Sequence, residues 1–363
     1  MENVTNVTID LSAIRANVER LRAKIKPGVK ICAVVKANAY SFGDKIIAKT
    51  IETRVDMFAV AHLAEATRLR KGGIAKDILL LGVCTNLARA EELGLVLSIN
   101  SVAEVQEIID YKRQNPCSVK KFRVHVKVNT GLNRYGIQEL EELEAIFDLA
   151  SERNFIIEGI YTHFAHEEDN IDGIREQLKR FEPFRALASQ FSKQRGESII
   201  IHTACAGSAH ISETQFDMVR VGKSFYGGYW GYQTVIEVTS KITAVQNIKK
   251  GETVGYGATF VADKDMTVGI VPCGYADLGH VNFSNRCACL IYGVPAPIVG
   301  RMSMDTMILN VTDIPNPLGQ TVRIIGDAPG ITIMEHARNS NSVTCDILCG
   351  MRFERADLVY LEK

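Results

Sequence analysis

Lys36 closes a short apolar run, Ile31-Cys32-Ala33-Val34-Val35, and Ala37-Asn38-Ala39-Tyr40 follow it directly. A buried strand that delivers one lysine to its C-terminal tip presents an amine for Schiff-base chemistry. Desolvation beside apolar neighbours disfavours the ammonium form and frees the nucleophilic lone pair. Other chemically capable groups close similar runs. Tyr40 follows the first, Lys127 and Arg134 lie in KVNTGLNRYG, and His163 lies in YTHFAH. Ser208 lies with Gly207 in HTACAGSAH, and Arg220 with Gly222 in MVRVG. Each alone reads equally well as a structural residue. Together they supply an amine, two guanidiniums, an imidazole and glycine-containing loops whose backbone N–H groups suit an anion.

An amine beside a phosphate cradle suggests pyridoxal phosphate, whose aldehyde condenses with a lysine and whose ring stores carbanion charge. A phosphosugar lyase using a lysine on the same scaffold is the competing reading, and it would leave the C-terminal third of the chain unexplained.

The elements that position these groups are eight short apolar runs: residues 30–36, 57–62, 77–82, 95–100, 122–128, 156–164, 198–204 and 218–222. Helical spacing separates most of them, most clearly at Leu140 to Ala150 and Ile174 to Phe191. Continuous rather than alternating apolar runs imply parallel strands buried on both faces. Eight such units predict an α/β fold, a (β/α)8 TIM-type barrel over residues 10–231, with its chemistry at the carboxyl ends of the strands.

From residue 232 to 363 the rhythm changes. Strands are predicted at Val235–Ile242, Thr253–Val261, Thr267–Val271, Ala288–Ile291, Met307–Val311 and Thr321–Ile325, with one helix near Ile333–Ala337. Turn residues between them describe a mainly antiparallel β domain, against which residues 1–9 are expected to pack.

With 363 residues, 46% of them hydrophobic, the chain can bury two cores. Its 42 basic and 42 acidic residues cancel, which leaves no net field for nucleic acid or an anionic membrane. The N-terminus carries neither a basic nor an apolar leader segment, and no run of about 18 apolar residues occurs. Nine cysteines without a paired CxxC spacing argue against a zinc site and for reduced thiols in a cytoplasmic protein.

The motifs AVVKANAY, KVNTGLNRYG, YTHFAH, RVGKSFYG, VGYGATF, GYADLG and GRMSMDTM resemble those of the alanine racemase family in order and approximate spacing. The resemblance spans about residue 5 to 360. It implies a pyridoxal-phosphate barrel, a β domain, and a homodimer whose active sites are each completed by the partner. It implies that Lys36 binds the cofactor and carries a proton on one face of the substrate. Tyr256 would carry the proton on the opposite face, across the dimer. A phenol ionises near pH ~10, so it needs positive charge nearby, which His163 and Arg220 are expected to supply. Arg220 in place of an acid at the pyridine nitrogen would leave that nitrogen unprotonated. Arg134 would meet the substrate carboxylate, and Lys127, carbamylated in many members, would orient Arg134. Tyr40 and Ser208 are phosphate candidates, with Gly222 beside them; Tyr275 and Met304 are partner-side walls of the pocket.

Three departures bear on these expectations. Ser41-Phe42-Gly43 stands where the family has Gly-His-Gly. Cys205 or Ala206 falls nearer the usual phosphate-loop serine than Ser208 does, so Lys223 could supply compensating charge. Cys345 stands where a tyrosine is usual, which predicts a relaxed pocket taking L-serine alongside L-alanine. A pyridoxal decarboxylase and a pyridoxal-phosphate carrier are the alternatives. Arg220 argues against the first, and the C-terminal domain with Tyr256 argues against the second.

Overall fold

The structure, a computed structural model, describes residues 3–116, 121–150, 155–166, 169–227 and 231–362. By its internal contacts the chain separates into two compact units. One comprises Val18–Ala39 and Gly43–Gly222; the other joins the chain up to Asn17 and Tyr40–Phe42 to everything from Lys223 onward.

The chain opens with β1 (Asn6–Asp10) and α1 (Leu11–Lys24). Eight parallel strands then follow: β2 (Lys30–Val34), β3 (Met57–Val60), β4 (Ile78–Leu80), β5 (Val96–Ile99), β6 (Phe122–Lys127), β7 (Phe155–Tyr161), β8 (Ile200–His202) and β9 (Met218–Val221). β9 pairs with β2, and between β8 and β9 the Asp217 amide donates to Ile201 O at 2.9 Å and the Arg220 amide to Ala204 O at 3.0 Å. The barrel predicted from the apolar runs is present. The helices include α2 (Asp44–Ile51), α3 (Leu63–Lys71), α4 (Leu87–Glu92), α5 (Val102–Gln114), α6 (Leu140–Ala150) and α7 (Ile171–Arg195). α6 has the predicted bounds, and α7 runs a turn beyond Phe191 to a left-handed Gly196 cap. Cys32, Val34, Met57, Ala59, Leu79, Val96 and Met218 pack one apolar cluster of the core.

The second unit holds a six-stranded sheet in which β1 lies between β10 (Ile236–Lys241), its antiparallel neighbour, and the C-terminal strand Asp357–Leu361, its parallel one. The predicted strand over Thr253–Val261 is instead two short strands, Thr253–Val254 and Phe260–Val261. Gly255, Gly257 and Ala258 between them take positive φ, which breaks the extended backbone. The sequence reading missed four further strands, Asn6–Asp10, Ala244–Ile248, Val294–Pro297 and Asp357–Leu361. It also missed the helices Tyr275–Leu278 and Thr344–Gly350; the predicted one runs Ile333–Asn339. Among the described residues no helix is long and apolar enough to cross a membrane.

Candidate active site

Lys36 sits two residues past β2, and the chain then turns through a left-handed helix. Ala37, Asn38, Ala39, Tyr40 and Ser41 all have φ between 52° and 75°. L-residues pay roughly 1–2 kcal/mol each for this conformation, so the surroundings must hold it. They do so through hydrogen bonds. The Ala39 amide donates to Val35 O (3.0 Å), and the Gly43 amide to Asn38 O (2.9 Å). The Asp44 amide donates to Asn38 Oδ1 (3.0 Å). The Ala37 amide donates to Glu65 Oε1 (2.7 Å), whose other oxygen accepts from the amides of Ala61 and His62 (2.8 and 3.1 Å). Glu65 was not singled out in the sequence; its only signal was its place at the start of α3.

Lys127 ends β6, where it is 5% exposed. Its Nζ lies 5.3 Å from the Tyr135 ring centre and 5.8 Å from that of Tyr161. Burial, then Arg134, Arg220 and Lys36, push its pKa down to about 8. The loop to Arg134 is closed by the Asn129 amide on Ile137 O and the Ile137 amide on Lys127 O, both at 2.9 Å. Gly136 (φ 118°) leaves no room for a side chain there, because a Cβ would meet backbone at 2.8–2.9 Å.

Arg220 is buried at the end of the barrel's last strand. It donates to His202 Nδ1 (2.7 Å), His202 O (3.0 Å), Thr162 O (2.7 Å) and Thr203 O (3.3 Å), and its guanidinium carbon lies 4.8 Å from the Tyr161 ring centre. It also reaches His163 Nδ1 at 3.4 Å. Arginine only donates, so His163 Nδ1 accepts and its proton sits on Nε2. Burial and the cations Arg220, Lys127, Arg134 and Lys36 hold the His163 pKa well below its usual value. Burial and these cations thus oppose a positive charge on His163, against the expectation that it supplies one.

Ser208 is buried, and its hydroxyl is turned inward. It accepts from the Cys205 amide (3.0 Å), while its carbonyl accepts from Thr214 Oγ1 (2.7 Å). The hydroxyl staples its own loop, which weighs against its reading as a phosphate contact. Gly222 is buried just beyond β9.

The second unit carries the remaining predicted residues. Tyr40 is buried with its ring centre 5.0 Å from that of Tyr226, and Phe42 stacks on Tyr226 at 5.2 Å. Lys223 begins a short 3-10 turn. Cys345 lies half-buried in the helix Thr344–Gly350, and Ser41 Oγ donates to Cys349 O at 3.2 Å. Tyr256 is 70% exposed on its turn and Met304 53% exposed. Tyr256 and Tyr275 line one open recess of about 510 Å³ with Gly279, Val281, Arg301 and Met302. Met304 joins them through backbone: its carbonyl accepts from the Ala276 amide at 3.0 Å.

Arg134, Arg220 and Lys36 thus act on Lys127, and all four act on His163, each as a positive charge. Such a cluster suits an anionic ligand. A phosphate-bearing aldehyde and an amino-acid carboxylate fit it, and a group set against Arg220 must present a lone pair.

Residues 9–230 match the family model described as alanine racemase, N-terminal domain, and residues 235–360 the model for the C-terminal domain. The chain is 32% identical to an alanine racemase of Streptococcus pneumoniae serotype 19F, with 95% of each chain covered. Among solved structures it is similar to the alanine racemase of a D-cycloserine-producing Streptomyces lavendulae, with TM-score 0.90, 27% identity, and 100% and 98% of the two chains covered. It is also similar to that of Bartonella henselae with covalently bound pyridoxal phosphate, with TM-score 0.84, 26% identity and 99% of each chain covered.

Proposed function

This chain belongs to the alanine racemase family of isomerases, and from that premise we propose that it interconverts L- and D-alanine with pyridoxal phosphate, using two proton carriers from two subunits. The observation that carries the reading is the convergence of Lys36, Lys127, Arg134 and Arg220, a cation cluster suited to an anionic cofactor and substrate. When bound, pyridoxal phosphate supplies an electrophilic carbon for the amine and a ring that accepts the negative charge left at the α-carbon.

Lys36 holds the cofactor, and its amine takes or returns the α-proton on one face. Tyr256 of the partner subunit does the reverse on the other face, its phenol exchanging one proton per turnover. Removal on one side and return on the other inverts the centre without moving the substrate. Supporting this assignment, Tyr256 is exposed at 70% in an open aromatic recess, as a group destined for a second copy of the chain would be. Positive charge near that phenol comes from Arg220 and Arg134, because burial and the surrounding cations disfavour the charged form of His163. Arg220, which can only donate, would meet the ring nitrogen of a bound cofactor as a donor and leave it unprotonated, which would favour prompt reprotonation over decarboxylation.

Arg134 binds the substrate carboxylate. Lys127, with a pKa near 8, is substantially neutral under mildly alkaline conditions and reacts with CO2. A nitrogen–carbon bond forms, one proton leaves to solvent, and the resulting carbamate anion pairs with Arg134. With the Ser208 hydroxyl engaged by the Cys205 amide, Tyr40, Gly222 and Lys223 are the remaining phosphate candidates. Cytoplasmic residence is part of the same reading. Cys345, smaller than tyrosine, supports a second substrate, L-serine, because an apolar pocket rejects a small hydroxyl weakly.

The test is incubation of the purified protein and cofactor with L-alanine and L-serine separately, followed by separation of enantiomers. D-alanine is expected, with D-serine at a kcat/KM within a thousandfold. Release of amine and CO2 would identify a decarboxylase instead.

A further inference from the structure

His125 and Gly159 lie outside the catalytic group, in a placement that carries a cost. Both are paired in register across β6 and β7, just where the register shifts between Val124 and His125. Such bulges re-aim side chains. Gly159 is required by space rather than backbone angle: an added Cβ would stand 2.7–2.8 Å from three atoms of the His125 ring. The ring is fully buried, and its Nε2 finds no partner among the described residues. A buried unsatisfied donor costs about 1–3 kcal/mol.

The hydrogen-bond directions follow from one donor. Arg220 can only donate, so His202 Nδ1 (2.7 Å) must accept, and the neutral His202 ring carries its proton on Nε2. That nitrogen lies 2.8 Å from His125 Nδ1, which must accept in turn. The proton of His125 is left on the orphaned Nε2. Burial first, and then Arg220, hold both rings neutral, His125 with a pKa of about 3. Tyr161 stacks on His202 at 4.7 Å and is hydrogen-bonded to Ser98, which fixes the plane of the His202 ring but not its tautomer.

We infer that His125 is a positioning residue: it accepts from His202 and thereby locks the His202 tautomer that orients Arg220, with Gly159 supplying the room. Arg220 alone favours the proton on Nε2 of His202, but without an acceptor at Nδ1 of His125 that N–H is buried and unsatisfied, a cost of about 1–3 kcal/mol against this tautomer. The alternative tautomer would point an N–H at the guanidinium and tilt it away. The inference about catalysis rests on the proposed racemisation; the inference about the tautomer does not.

The experiment uses the full-length protein with 15N-labelled histidine, in which one- and two-bond couplings report the proton position on each ring. His202 is expected as the Nε2–H tautomer in the wild type and in His125→Asn, whose amide oxygen can still accept. In His125→Leu and Gly159→Ala that tautomer is lost, and kcat for L-alanine falls on the order of tenfold while KM stays within about twofold. His125→Asn restores kcat to within about threefold. A wild-type His202 protonated on Nδ1 overturns the inference whatever the activity. So does a His125→Leu protein with an unchanged tautomer and unchanged kcat. Failure to racemise alanine in any form would instead remove the functional reading and leave the tautomer result standing.

Discussion

The Ala37 amide donates to Glu65 Oε1 at 2.7 Å, so a carboxylate from the neighbouring βα unit grips the residue immediately after Lys36. The same carboxylate gathers the amides of Ala61 and His62. It holds the start of a left-handed turn that five residues would otherwise leave. Glu65→Gln replaces one acceptor oxygen with a donor facing an N–H. We expect a loss of about 2 kcal/mol in stability, from the charged hydrogen bonds removed, and weaker cofactor retention. Thermal denaturation and a cofactor absorbance titration check both.

Lys127 should make stability depend on pH in a defined window. Its folded pKa, about 8, lies below the reference 10.5. Between those values the unfolded chain binds more protons, so stability rises with pH there. Below pH 8 the full penalty of burying the ammonium is present. Lys127→Met should therefore be more stable than the wild type at pH 7 in CO2-free buffer, by on the order of 2 kcal/mol, with the advantage gone above pH ~10.5. Bicarbonate should narrow the gap for the wild type alone, and a labelled carbamate carbon should appear by NMR. An unchanged gap across that range would contradict the assignment.

Tyr226 is fully buried, and its hydroxyl has no hydrogen-bond partner among the described residues. Its ring is held by Tyr40 and Phe42 regardless of the hydroxyl. Tyr226→Phe is expected to be stabilising by about 1 kcal/mol, since the desolvation cost of an orphaned group is removed. Chemical denaturation with unchanged m-value would show it.

Cys345→Tyr refills the volume proposed to admit serine. The ratio of kcat/KM for L-alanine over L-serine should rise at least about tenfold, with alanine turnover little changed. A constant ratio would place the specificity elsewhere.

The barrel was readable because parallel strands buried on both faces leave unbroken apolar runs, and because a lysine or arginine closing such a run is conspicuous. Lys36, Lys127 and Arg220 were found that way. The missed strands lack that mark. Ala244–Ile248 has no fully buried residue, and Val294–Pro297 contains two prolines and reads as a turn. Glu65 and His125 escaped notice because they act through backbone amides and another side chain, contacts that no residue type announces. For Ser208 the sequence shows a hydroxyl near the loop but not that the Cys205 amide engages it.

The central claim is that Lys36 and Tyr256 meet across two subunits. Its most direct test joins two disabled proteins, Lys36→Ala and Tyr256→Phe, as a mixed dimer isolated through two different tags. By two-fold symmetry one site of that dimer receives both substitutions and the other neither. Racemisation at about half the wild-type specific activity is predicted, from two parents that are each inactive. A mixed dimer as inactive as its parents would contradict the shared site.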